Sequence, residues 1–128
     1  MERPVAYSGC ALSVVFAVCK SGESPAEVFY DGLIERDQAK MLKLFTRIGE
    51  VGKIANRENF KKIENDLWEF KNHQIRMPCF FRPGRIVVVT HGFIKKGDAI
   101  PRPQIERAYR IQQEDIANES GGQSLWCN

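Results

Sequence analysis

The spacing of hydrophobic positions changes repeatedly along this chain, and each change marks an element. Ala11 to Val18 is an apolar run rich in valine, read as a first β-strand at about 11–18. Ser21 to Ser24 is a turn. Ser24, Pro25 and Glu27 then stand as an N-cap, a proline at the first helical position and a capping-box glutamate. The spacing predicts a helix to about Ile34 that buries Val28, Phe29 and Leu33. From about Asp37 to Val51, Met41, Leu42, Leu44, Phe45 and Ile48 recur at helical spacing, with Lys40, Lys43 and Arg47 on the other side and Gly52 as the stop.

After a basic connection, Asn56 to Lys62, the period drops to two. Leu67 to Lys71 alternates, and so does Gln74 to Met77, which predicts a hairpin. Its parity puts Trp68 and Phe70 on one face with Ile75, Met77, Cys79 and Phe81. The opposite face then carries Glu69, Lys71 and Arg76 together. Pro78 cannot donate to a ladder, so a bend or bulge is expected there. Arg82 to Arg85 suits a type II turn. The strand 85–91 is apolar on both faces and so central, and residues 101–118 read as a last helix. The fold class is α+β: a small, mostly antiparallel sheet of about four strands, two N-terminal helices on one face, and a C-terminal helix. Helices segregated onto one face would leave the other partly open, with the basic residues on it.

The 128 residues make a single domain, 1–128, with a core at about 11–118 and a tail at 119–128. Charge is uneven. Between residues 36 and 97 there are fourteen Lys or Arg and six Asp or Glu, whereas both ends are acidic. Such a basic middle suits an anionic partner, although solvated helix faces account for the charge equally well. The four cysteines lack metal-ligand spacing and read as buried free thiols of a reducing, cytoplasmic compartment; no metal and no cofactor are expected. The apolar run near the N-terminus is too short to span a bilayer and lacks the flanks of a secretion signal, so no membrane association is expected.

Five motifs now stand in order: Ser24 to Phe29, Asp66 to Lys71, Arg76, His91 to Lys96, and Pro101 to Ala108. In this order and spacing, over roughly residues 12–117, the chain resembles the phage-derived HigB-like toxins of the RelE/ParE superfamily. Lys71 stands where that family usually has arginine, which replaces a planar bidentate clamp with a point charge. The resemblance implies a RelE-like fold and the toxin of a type II toxin–antitoxin system, a ribosome-dependent endoribonuclease that cuts mRNA. It also implies a cognate antitoxin, a helix-turn-helix DNA-binding protein. The alternative is a non-catalytic, ParE-like inhibitor of DNA gyrase, or another phage-derived interaction protein.

Cleavage by attack of a 2′-hydroxyl on its neighbouring phosphate needs a base, cations beside the phosphate and an acid for the leaving oxygen. Arg76, Lys95, Lys96 and Lys71 are the catalytic candidates, and with Arg82 they are the candidates for RNA contact. Glu69 can act as base or simply hold Arg76. His91 ends a buried strand and reads first as a structural histidine; His73 reads as a solvated turn residue, and Trp68 as core. Tyr109 and Arg110, on the last helix, are possible supporting residues.

Overall fold

The computed structural model describes residues 2–97 and 99–127, with side chains described through Glu119. The elements are β1 (Val5–Ser8), β2 (Ser13–Phe16), α1 (Pro25–Asp31), α2 (Glu35–Val51), β3 (Phe60–Glu64), β4 (Leu67–Asn72), β5 (Ile75–Arg82), β6 (Ile86–Val89), β7 (Phe93–Ile94) and α3 (Arg102–Cys127). The strands form one open seven-stranded sheet in the order β1-β2-β6-β5-β4-β3, with β7 pairing β5 beside β6. β2 and β6 run parallel, joined through the two helices and the β3–β5 meander, and the other pairings are antiparallel.

Helices cover both faces of the sheet, not one. On the first face, Met41, Phe45 and Ile48 of α2 and Ala26 of α1 pack on Val14, Phe16, Phe70, Met77, Val87 and Val89. On the second, Ile105, Ala108 and Ile111 of α3 pack on Val15, Leu67, Phe80 and Val88. The cause lies in β6. Val87 and Val88 are both fully buried and point to opposite faces, so a strand apolar on both sides needs cover on both sides. α3 nevertheless covers only part of its face. Glu69, Lys71 and Arg76 lie beyond its N-terminal end, on the same face.

The sheet holds seven strands where about four were expected. β1 and β3 lie at the two edges of the sheet, and neither alternates. Phe60 and Ile63, three residues apart, turn to opposite faces and join different clusters. A register shift between Lys62 and Glu64 further obscures the period. β7 is only two residues long. Residues 90 and 91, expected in the strand of 85–91, lie outside β6.

The irregularity expected at Pro78 falls on one side of β5. β4 and β5 stay in register through the Glu69–Pro78 pair, but on the other side the pairing slips by one residue between Cys79–Val89 and Arg76–Phe93. The Pro78 carbonyl accepts from the Thr90 amide at 2.8 Å, on the β6 side. A residue's N–H and C=O point to the same side of its strand, so the missing donor faces the gap between β6 and β7. The capping box of α1 does not form: Ser24 makes no side-chain cap hydrogen bond, and its buried Oγ has no partner among the described residues. Val28, expected inside, is 70% exposed. α2 ends as expected, at a left-handed Gly52 with φ +88°.

The last helix runs on to Cys127, through most of the segment read as a tail; Leu125 and Trp126, candidates for docking, lie outside the residues whose side chains are described. Cys19 and Cys79 are buried free thiols, but Cys10 is exposed. Among the described residues, no helix is long and apolar enough to cross a membrane.

Candidate active site

Cross-strand register builds the site. In the β4–β5 ladder Lys71 stands opposite Arg76, and in the β3–β4 ladder Lys61 stands opposite Glu69. β7 returns along β5, with Phe93 opposite Arg76, and the Lys95 amide donates to the Gln74 carbonyl at 2.7 Å. β3, β4, β5 and the segment that follows β7 thus deliver Lys61, Lys71, Arg76 and Lys95 around one carboxylate, Glu69, at the end of the face that α3 leaves free.

Glu69 is 1% exposed and Arg76 is 7% exposed. The Arg76 Nε lies 3.7 Å from Glu69 Oε1, close enough for Coulomb attraction but too far for a hydrogen bond. The Arg76 guanidinium instead donates through Nη1 to the carbonyls of His73 and Ile75, across the β4–β5 turn. His73 accepts in that way from a backbone with φ +55°. Burial pushes the Glu69 carboxyl above its ordinary pKa, and Arg76, Lys61, Lys71 and Lys95 pull it back in that order. Burial lowers the pKa of Lys71, helped by the like charges of Lys61, Arg76 and Lys95 and opposed by Glu69. The arrangement holds several cations at fixed positions and includes a lysine that gives up its proton more easily than usual.

Lys61 is missing from the sequence reading, since it belonged to a segment read as connection. Its signal was faint, a lysine one residue after Phe60 at what proves to be an edge strand. Lys96 is exposed, and Lys95, not Lys96, is among the charges acting on Glu69 and Lys71.

The remaining candidates lie elsewhere. Arg82, at the far end of β5, pairs with Glu119 at 2.6 Å. Glu119 also binds Arg3, which grips the buried Asp115 at 2.6 Å, so Arg82 belongs to a clasp between the N-terminus, β5 and α3. Tyr109 donates to Glu64 at 2.8 Å and accepts from Asn65 at the β3–β4 turn, the opposite end of β4 from Lys71. Arg110 pairs with Glu114 one turn on along α3.

His91 is fully buried. Its Nε2 lies 3.0 Å from Gln104 Oε1, an acceptor, so Nε2 carries the proton and Nδ1 accepts from the Thr90 hydroxyl at 2.9 Å. Its ring stacks on Phe93, with centroids 5.6 Å apart. Burial lowers its pKa to about 4, against a smaller opposing effect of the Gln104 hydrogen bond. A neutral imidazole thus ties the root of β7 to the start of α3. The glycine beside it is equally constrained, because a Cβ on Gly92 would fall 2.1 Å from the Phe29 ring.

A family model described as "Phage derived protein Gp49-like (DUF891)" matches residues 29–113, a span that contains every residue of the cation cluster. No curated protein matches the chain.

Proposed function

This chain belongs to the phage-derived Gp49-like protein family, and we propose that it is the toxin of a type II toxin–antitoxin pair, a ribosome-dependent endoribonuclease of HigB-like type. The family is associated with RelE/HigB-like toxins. The observation that carries the reading is the grouping of Lys61, Lys71, Arg76 and Lys95 around the buried Glu69 at an uncovered end of the sheet.

In this reading Lys71, whose proton burial and neighbouring cations loosen, accepts the proton of the 2′-hydroxyl. The 2′-oxygen bonds to phosphorus as the bond to the 5′-oxygen breaks, leaving a 2′,3′-cyclic phosphate and a 5′-hydroxyl. The ammonium groups of Lys61 and Lys95 flank the phosphorane and return a proton to the 5′-oxygen. Glu69 is too buried to reach substrate and acts as the anchor that keeps the cations together. His91 is a support of the fold and takes no proton in the reaction. The partners are mRNA on the ribosome, in the cytoplasm, and a cognate helix-turn-helix antitoxin encoded beside the toxin.

Expression in a bacterial host without the antitoxin tests this. Growth arrest with cleavage of ribosome-bound mRNA is expected, and Lys71→Ala with Lys95→Ala should abolish both. A wild-type chain that leaves growth and mRNA intact would sink the reading.

One observation favours a second reading, a ParE-like inhibitor of DNA gyrase. The cluster's arginine is spent on two carbonyls of its own hairpin, so the remaining cations, the half-buried Lys61, Lys71 and Lys95, are point charges. Loss of gyrase supercoiling without RNA cleavage would select that reading.

A further inference from the structure

A second basic site lies on the opposite face of the sheet from the cation cluster. α2, the 52–59 connection and the end of β4 enclose a groove of about 490 Å3. Lys40, Lys43 and Arg47, spaced at three and four residues on one side of α2, form one wall. Asn56, Asn59 and Asn72 form the other. All three cations are exposed, and among the described residues none pairs with a carboxylate and no carboxylate lines the groove. The Nδ2 of Asn72 is buried and has no acceptor among the described residues. An unpaired buried donor is costly unless a ligand supplies the acceptor. The groove therefore offers positive charge and an unused N–H, and no acceptor charge of its own, a combination that suits phosphate oxygens.

The groove is also joined to the cluster. Asn72 follows Lys71 on β4, and the two side chains turn to opposite faces. Asn59 bonds Lys71 twice, accepting from its amide at 2.8 Å and donating to its carbonyl at 3.4 Å. Only β3, the edge strand, separates the two sites, and Lys61 on β3 faces the cluster side.

We infer that the groove of Lys40, Lys43, Arg47 and Asn72 binds the phosphodiester backbone of the same single-stranded RNA whose scissile phosphate sits at Lys71, the strand passing round the β3 edge. The inference rests on the ribonuclease reading and adds the path of the substrate. Exposed, flexible cations beside amide donors bind backbone without reading bases, so the groove supplies affinity and register, not sequence choice.

The test measures binding of an unstructured 12-nucleotide oligouridylate and a 4-nucleotide oligouridylate to the full chain. Lys40→Ala with Arg47→Ala is compared with Lys53→Ala with Arg57→Ala, which removes equal charge from exposed residues that do not line the groove. The groove variant should bind the 12-mer at least 10-fold more weakly, with a salt slope smaller by about 1.4, two cations at about 0.7 each. It should bind the 4-mer within 2-fold of wild type, and the control variant should stay within 2-fold on both. Asn72→Ala should weaken only the 12-mer. Equal losses in both double variants, or none in the groove variant, would overturn the inference while leaving cleavage by the cluster intact. Weakened 12-mer binding in a chain that never cleaves RNA would support the groove and sink the ribonuclease. Preference of the groove for an acidic polypeptide over the 12-mer would overturn it as well.

Discussion

Arg76 Nε stands 3.7 Å from Glu69 Oε1 in the interior of the β4–β5 hairpin, and neither atom has a hydrogen-bond partner among the described residues. Two opposite charges are thus desolvated together without the short contact that repays desolvation best. Their mutual support is unequal. Arg76 also donates to two backbone carbonyls, whereas Glu69 Oε1 has only the cations around it.

Removing one member should therefore cost more than removing the other. Arg76→Ala leaves a buried carboxylate facing fewer charges and frees two turn carbonyls, a loss of about 3 kcal/mol. Glu69→Gln keeps the shape and leaves Arg76 its carbonyls, a loss of about 1 kcal/mol. Urea denaturation of both variants at neutral pH checks the order; a Glu69→Gln loss equal to that of Arg76→Ala would show the carboxylate to be the keystone.

Lys71 should set the alkaline dependence of cleavage. Its lowered pKa means that the neutral amine appears at a lower pH than for an ordinary lysine. The cleavage rate on an RNA substrate should rise with pH and level off before the usual lysine range. Lys71→Arg keeps the positive charge but retains its proton, so the rate should drop about 100-fold or more while RNA affinity stays within a few-fold. An unchanged rate and profile in Lys71→Arg would remove Lys71 as the base.

His91 should make the fold acid-sensitive in a defined window. Its pKa is 6.5 as a reference and about 4 when folded. The unfolded chain binds the extra proton first, so the stabilisation is complete above pH 6.5 and is lost as pH falls toward 4, by up to about 3 kcal/mol. Glu119 contributes separately: Arg82 holds it down to about 2, so its share is lost only as pH falls below its ordinary 4.5. Urea midpoints between pH 7 and 4 should decline less steeply for His91→Asn than for wild type, and equal slopes would assign the acid sensitivity to other groups.

The β4–β5 hairpin was legible because its period is local. Trp68, Phe70 and Met77 alternate with Glu69, Lys71 and Arg76 whatever the rest of the chain does, and the ladder keeps that parity. Phe60 and Ile63 carried no such signal, since an edge strand buries one residue on each face and shows no alternation. Pro78 announced an irregularity, but only the paired sheet places the extra residue on the partner, between β6 and β7, and not on β5 itself. Arg82 looked like its fellow cations, but α3 brings Glu119 to it across 37 residues.

By itself, then, the order of residues determined which side chains share a face of each strand, where α2 stops, and that β6 is apolar on both faces. Those properties follow from backbone geometry over a few residues. Tertiary structure alone decided that Lys61 joins the cluster, that Arg82 leaves it, that Arg76 is buried and turned toward its own hairpin, and that α3 stops short of the site. Burial and Coulomb attraction depend on which groups arrive from distant parts of the chain, and no local period encodes that meeting.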